Sequence, residues 1–266
     1  MGVEAHLVEG TAPRLFSETH APDGAAAVGR PVLLLHGFAS STKLNWEDSG
    51  WIAALTAAGR TVITVDLPGH GRSPAPSDRE EYRPSRIRAE LLQLLQDAGA
   101  APLAADDPDS GVDIVGYSLG SRLAWEFGAT QPELVRRMVL GGPGSGDPLA
   151  EFDLDGARRE LAGGEPVSDP RTAELLRMAQ LAPGNDIAAL LQMVEAIKAE
   201  PFTPSALVPS MPLLLVAGER DDLAASAPEL VELSGQAELL TLPARIHTNA
   251  VTSRAFKSAA TAFLAG

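Results

Sequence analysis

Six short apolar runs punctuate the chain: 30–37 (RPVLLLHG), 60–67 (RTVITVDL), 112–118 (VDIVGYS), 135–144 (VRRMVLGGPG), 211–219 (MPLLLVAGE) and 237–244 (AELLTLPA). They are apolar at consecutive rather than alternate positions and are bounded by Gly and Pro, a pattern that predicts strands buried on both faces. The spacing between them is too long for hairpins. It is filled by helical patterns such as Ile87, Leu91, Leu92 and Leu95, or Leu119, Leu123 and Phe127 directly after the third run. Alternating strand and helix predict an α/β fold with a mostly parallel central sheet flanked by helices. At the N-terminus, AHLVEG and RLFSETHAP predict an antiparallel hairpin on the edge of that sheet.

One region breaks the alternation. Between Ser145 and Ala206 no strand pattern occurs, and Ile187, Leu190, Leu191, Val194 and Ile197 form an amphipathic stripe closed by Pro201 and Pro204. Helices inserted after the sixth strand would lie over the sheet's C-terminal edge, where open α/β sheets bind ligands. The expected organisation is therefore a core of residues 1–144 and 207–266 with a small helical cap at 145–206. The segment 101–111 (APLAADDPDSG) reads as an exposed loop.

Composition narrows the function. The 266 residues suffice for one large α/β domain or two small ones, and a net charge of −14 opposes binding to nucleic acid or an anionic membrane surface. The absence of cysteine removes disulfides, thiol chemistry and thiolate metal sites. MGVEAHLVEG lacks the basic-then-apolar pattern of a signal peptide, and position 6 is His where myristoylation requires Ser or Thr. No apolar run approaches the ~18 residues of a membrane span. A cytoplasmic location and a small-molecule substrate are expected.

The third run ends in Gly116-Tyr117-Ser118-Leu119-Gly120. A G-x-S-x-G pentapeptide alone is weak, but this one falls where a strand meets an amphipathic helix. There a sharp turn would lift Ser118 Oγ above the sheet, and the helix N-terminus, Leu119 N–H included, would face a developing oxyanion. A serine needs a base, and five histidines are available. His6 and His20 fall in the N-terminal hairpin and read as surface residues. His36 closes a strand and His70 sits in a Gly/Pro turn, both suited to backbone hydrogen bonding. His247 follows the last strand, in a loop before the final helix, and is the expected base. Its orienting carboxylate should come from GERDD after the penultimate strand. Asp221 is the first choice, Asp222 the second, Asp147 a fallback, and Glu219 is expected to face solvent.

In these motifs the chain resembles the α/β-hydrolase superfamily over nearly its whole length. LLLHGF resembles the family's His-Gly oxyanion motif, which implies that Phe38 N–H is a second oxyanion donor beside Leu119. VDLPGHGRS resembles a structural turn of the family, GYSLG its nucleophile elbow, and GERDD with RIHTNA its acid and base loops. The resemblance implies acyl transfer by Ser118, Asp221 and His247, with no metal or cofactor, in a serine esterase of carboxylesterase type. Haloalkane dehalogenases and epoxide hydrolases carry aspartate at the elbow, so Ser118 points away from both. No phosphate loop, dinucleotide fingerprint or metal-ligand spacing is present. With aromatics at only 5%, the cap is expected to be lined by aliphatic residues such as Leu175, Met178, Leu190 and Met193. Two other readings stand beside this one: a non-hydrolytic enzyme on the same scaffold (perhydrolase, lyase or C–C hydrolase), and a small-molecule binding protein.

Overall fold

A computed structural model of the chain describes residues 3–5, 15–22 and 27–266. The first elements are strands β1 (Val3–Ala5), β2 (Ser17–His20) and β3 (Val32–Leu35). A short helical segment, Lys43–Glu47, then leads into helix α1 (Trp51–Ala57) and strand β4 (Val62–Val65). Helix α2 (Pro84–Asp97), strand β5 (Val112–Tyr117), helix α3 (Leu119–Thr130) and strand β6 (Val135–Gly141) follow. Three helices come next without an intervening strand: α4 (Leu154–Leu161), α5 (Pro170–Leu181) and α6 (Ile187–Ala199). The chain then returns through β7 (Leu213–Gly218), α7 (Ala227–Ser234), β8 (Ala237–Leu242), α8 (His247–Ala250) and α9 (Arg254–Ala265).

The described strands form one sheet in the order β1-β2-β4-β3-β5-β6-β7-β8. β1 pairs antiparallel with β2, and β2 with β4, while β4, β3 and β5 to β8 run parallel. The mostly parallel sheet flanked by helices is the architecture the apolar pattern predicts, and an antiparallel pair, Val3–Ala5 with Ser17–His20, stands at one edge; residues 6–14, which hold most of AHLVEG in the expected hairpin, lie outside the described residues. His6 lies outside the described residues.

The continuous apolar runs have a direct cause in the packing. On β3, Leu33 and Leu35 face the layer built from α2, α3 and the inserted helices, whereas Val32 and Leu34 face α1 and α9. β7 divides the same way, with Leu213 and Leu215 on one face and Leu214 and Val216 on the other. A strand covered on both faces needs apolar residues at every position. β8 departs from the expectation of full burial. It is an edge strand, and Glu238, Leu239 and Thr241 on it are exposed.

Sheet order also places the chemistry. From β3 the chain moves to β4 on one side and then crosses to β5 on the other. The loops leaving the C-terminal ends of β3 and β5 therefore part in opposite directions, and the crevice between them is where open α/β sheets bind ligands. The segment 36–39 and Ser118 follow those two ends.

Candidate active site

Ser118 sits between β5 and α3 with φ +54° and ψ −115°, a region a non-glycine residue occupies only when its surroundings impose it. The flanking glycines make this geometry sterically possible. A Cβ on Gly116 would lie 2.4 Å from the Gly120 carbonyl oxygen, and one on Gly120 would lie 2.0 Å from that of Leu35. Neither approach tolerates a side chain, so the pattern read in the sequence has a packing reason as well as a turn reason.

The loops after β7 and β8 bring the other two residues to the serine. His247 Nε2 lies 2.8 Å from Ser118 Oγ. Its Nδ1 lies 3.0 and 2.9 Å from the two carboxylate oxygens of Asp221. Asp221 is buried, and its Oδ1 also accepts the backbone N–H groups of Leu223 (3.1 Å) and Ala224 (3.2 Å). A carboxylate only accepts, so Nδ1 must carry the ring hydrogen. Nε2 of the neutral ring is then the acceptor for the Ser118 hydroxyl. His247 opens the short helix α8, where the sequence suggested a loop.

The competing candidates lie elsewhere. Asp222 and Glu219 are exposed, and Glu219 accepts the Ala244 N–H at 2.7 Å. Asp147 pairs with Arg122. His20 is half-buried beside Thr64 rather than a free surface residue, and burial holds its pKa down.

The segment after β3 is tied down residue by residue. Gly37 N–H donates to Asn45 Oδ1 at 2.9 Å, and Ala39 N–H donates to His70 Nε2 at 3.2 Å. His36 Nε2 accepts the Leu67 N–H at 2.9 Å, so its Nδ1–H donates to the Gly37 carbonyl at 2.8 Å. His70 Nδ1 donates to the Pro68 carbonyl. Among the described residues, the Phe38 and Leu119 N–H groups have no protein acceptor, although the N–H groups on both sides of Phe38 are bonded. The Gly37 backbone lies against the serine, where a Cβ would come within 3.2 Å of Ser118 Cβ. Burial lowers the pKa of both histidines, that of His70 to about 3 with His36 as the next cause, so both act as neutral hydrogen-bonding struts.

Three contributors escaped sequence reasoning. Asn45 anchors Gly37 from a segment with no visible motif. Tyr117 donates its phenol to the His247 carbonyl and is kept neutral by burial, which pushes its pKa up. Gly142, at φ +58°, packs so closely that a Cβ would fall 2.7 Å from His247 Cε1. The glycine pair after β6 was its only sequence signal.

A narrow cavity of about 20 Å³ opens at Ser118 and His247, walled by Trp125, Leu140, Phe202, Leu223 and Leu230. The aliphatic residues expected to line a pocket do not reach it. Leu190 and Met193 are buried in the core of the inserted helices, and Leu175 and Met178 pack against that core. A larger cavity, about 850 Å³, lies between β2, the 43–56 segment and the Pro183–Gly184 turn, and touches none of Ser118, Asp221 and His247. Its cations are already paired, Arg72 with Glu18 and Lys43 with Asp48. Among the described residues no cluster of three His, Asp or Glu side chains is placed to hold a metal ion, and no helix is long and apolar enough to cross a membrane.

A serine, a histidine and a carboxylate thus stand in hydrogen-bonded sequence at the C-terminal edge of a parallel sheet, and comparison with known proteins gives the family of the fold. The family model described as alpha/beta hydrolase fold matches residues 30–165. The chain belongs to the α/β hydrolase fold family. Epoxide hydrolase B of Mycobacterium tuberculosis is 30% identical over 146 residues, 51% of this chain and 37% of that protein. A Bacillus subtilis protein provisionally named 2-succinyl-6-hydroxy-2,4-cyclohexadiene-1-carboxylate synthase is 31% identical over 109 residues, 41% of this chain and 35% of that one. The chain thus spans little more than a third of the length of these curated relatives. Among solved structures, a carboxylesterase of the ammonia-oxidizing thaumarchaeon Nitrososphaera gargenis superposes with a TM-score of 0.72 at 18% identity, over 96% of this chain and 97% of that one. A hydrolase from Pseudomonas aeruginosa PA01 superposes with a TM-score of 0.72 at 21% identity, over 99% and 98%. At such identities the likeness concerns the fold alone.

Proposed function

We propose that the protein is a serine hydrolase acting on carboxylic esters or related acyl compounds through an acyl-enzyme. The observation that carries this reading is the 2.8 Å contact between Ser118 Oγ and His247 Nε2, with Asp221 bonded behind the ring. Ser118 Oγ attacks the substrate carbonyl carbon while His247 Nε2 takes its proton. Asp221 holds the ring in the required tautomer and stabilises the imidazolium that forms. The unpaired N–H groups of Phe38 and Leu119 receive the oxyanion, and one such donor contributes about 10²–10³ in rate. Collapse of the tetrahedral intermediate expels the alcohol, which takes the proton from His247. A water molecule, deprotonated by the same ring, then releases the acid and restores Ser118. Helices α4 to α6, within residues 145–206, serve as the cap over this edge, and residues 1–144 and 207–266 as the core.

Some of the relatives are named for other chemistry. In epoxide hydrolases the resemblance assigns aspartate to the elbow, and this chain carries Ser118 there. The relative named as a synthase supports a second reading, a non-hydrolytic enzyme using the same triad. Hydrolysis of p-nitrophenyl acetate by wild type and Ser118→Ala, with mass spectrometry of acid-quenched protein, separates the two. An acetylated wild-type chain and a rate loss of about 10⁴-fold or more in the variant are expected. Equal rates in the two proteins would sink the serine reading. An intact wild type that never acquires an acyl group would favour the second.

A further inference from the structure

We propose that the cavity beside Ser118 is the acyl subsite, that it admits only a short acyl group, and that Phe202 is the side chain that closes it. This rests on the ester-hydrolase reading and adds the substrate's size to it. A carbonyl carbon bonded to Ser118 Oγ has three further substituents. Its oxygen is drawn to the N–H groups of Phe38 and Leu119, and its leaving group must lie on the side of His247 Nε2 to be protonated. The acyl chain is assigned to the cavity that opens at both Ser118 and His247, among Trp125, Leu140, Phe202, Leu223 and Leu230, and the leaving group to the solvent-facing edge of the ring. Its volume of about 20 Å³ is close to what a single water requires. The methyl of an acetyl group fits that space, and a six-carbon chain does not.

The walls are unequal. Trp125, Leu140 and Leu230 are buried in the core and cannot yield without disturbing it. Phe202 is half-buried, on the segment that returns from α6 to the sheet. Its ring lies under the Arg122 guanidinium, 5.4 Å from centroid to Cζ. Arg122 is itself buried, and it bonds both Asp147 and the Glu200 carbonyl, the two roots of the inserted segment. Phe202 is thus a closed but removable wall, positioned by a charge network whose Arg122 also borders the cavity. Leu223, also half-buried, closes the opposite side.

The test is kcat/KM for p-nitrophenyl acetate, butyrate, hexanoate and octanoate, with a constant leaving group. Wild type should be fastest on acetate and about 10-fold or more slower on hexanoate. Phe202→Ala should raise the hexanoate-to-acetate ratio by about 10-fold, and Leu223→Ala should shift it in the same direction by less. A wild-type optimum at hexanoate or beyond overturns the proposal, as do two folded variants with the wild-type profile. The ester reading survives those results provided Ser118→Ala is inactive. It falls, and takes the proposal with it, if wild type cleaves no ester of the series or Ser118→Ala keeps the wild-type rate.

Discussion

Strand β5 is buried along its length and carries a polar residue at each end, Asp113 near its start and Ser118 just past its finish. The two ends use buried polarity differently. Asp113 is saturated: Arg60 donates to Oδ2, and Arg136 donates to Oδ1 at 3.0 Å and Oδ2 at 2.7 Å. The same guanidiniums reach the Leu264 carbonyl near the C-terminus of α9, where a cation is also favoured by the helix dipole. Every charge there has a fixed partner, and the network ties helix to sheet. At the other end, among the described residues, the Ser118 side chain has one partner, a histidine, and two nearby backbone N–H groups have no protein acceptor. A saturated network holds structure. An unsaturated one, kept open by strain at Ser118 and by close glycine packing, leaves a place for a reacting molecule.

The largest effect separating the two ends should come from Asp221→Asn, which reverses the hydrogen bond that sets the His247 tautomer. A loss of about 10⁴-fold in kcat is expected, while Asp222→Asn should stay within about 2-fold in the same ester assay, its side chain being exposed. Reversed outcomes would move the acid to Asp222.

Asp113→Ala should do the opposite. Leaving two guanidiniums facing an empty, buried position should cost about 3–5 kcal/mol of stability in urea unfolding, with kcat/KM of the folded fraction within about 3-fold of wild type. A variant of normal stability and lost activity would erase the distinction between the ends.

Acid pH provides the smallest and most graded test. His36 and His70 have folded pKa values below the ordinary 6.5, so the unfolded chain takes up protons first as pH falls. Their contribution is complete above pH 6.5 and is lost below it, down to about pH 3 for His70. For His70 the slope approaches ~1.4 kcal/mol per pH unit between those limits. Glu126, whose carboxyl is raised chiefly by burial, acts in the opposite sense. Urea titrations at pH 7.5, 6 and 5 should show the decline, and His70→Gln should flatten it. A decline that persists unchanged in that variant would assign it to other groups.

Much of this was legible in one dimension. Apolar runs at every position announced strands covered on both faces, and GYSLG, GERDD and RIHTNA stood after three of them, so Ser118, Asp221 and His247 could be named from local pattern and order. The spacing could rank Asp221 above Asp222 without separating them, because both follow the same strand. Burial and two backbone N–H groups make the difference. Tyr117 and Gly142 escaped for the same reason, since both act on His247, far away in sequence. Asn45 reaches only eight residues back, to Gly37, through a fold of the 37–45 segment that no local motif records.

The sequence by itself determined which elements form and which ends of them carry Ser118, Asp221 and His247, because strand and helix patterning and turn sterics act over a few residues. The tertiary structure alone decided which donors stay unpaired, how buried each carboxylate is and how little space remains beside Ser118. The aliphatic side chains expected to line a pocket form the core of the insert, and an aromatic ring from its return segment stands at the cavity. Those properties depend on the distance between chain segments far apart in sequence, and only the packed sheet and its helices set that distance.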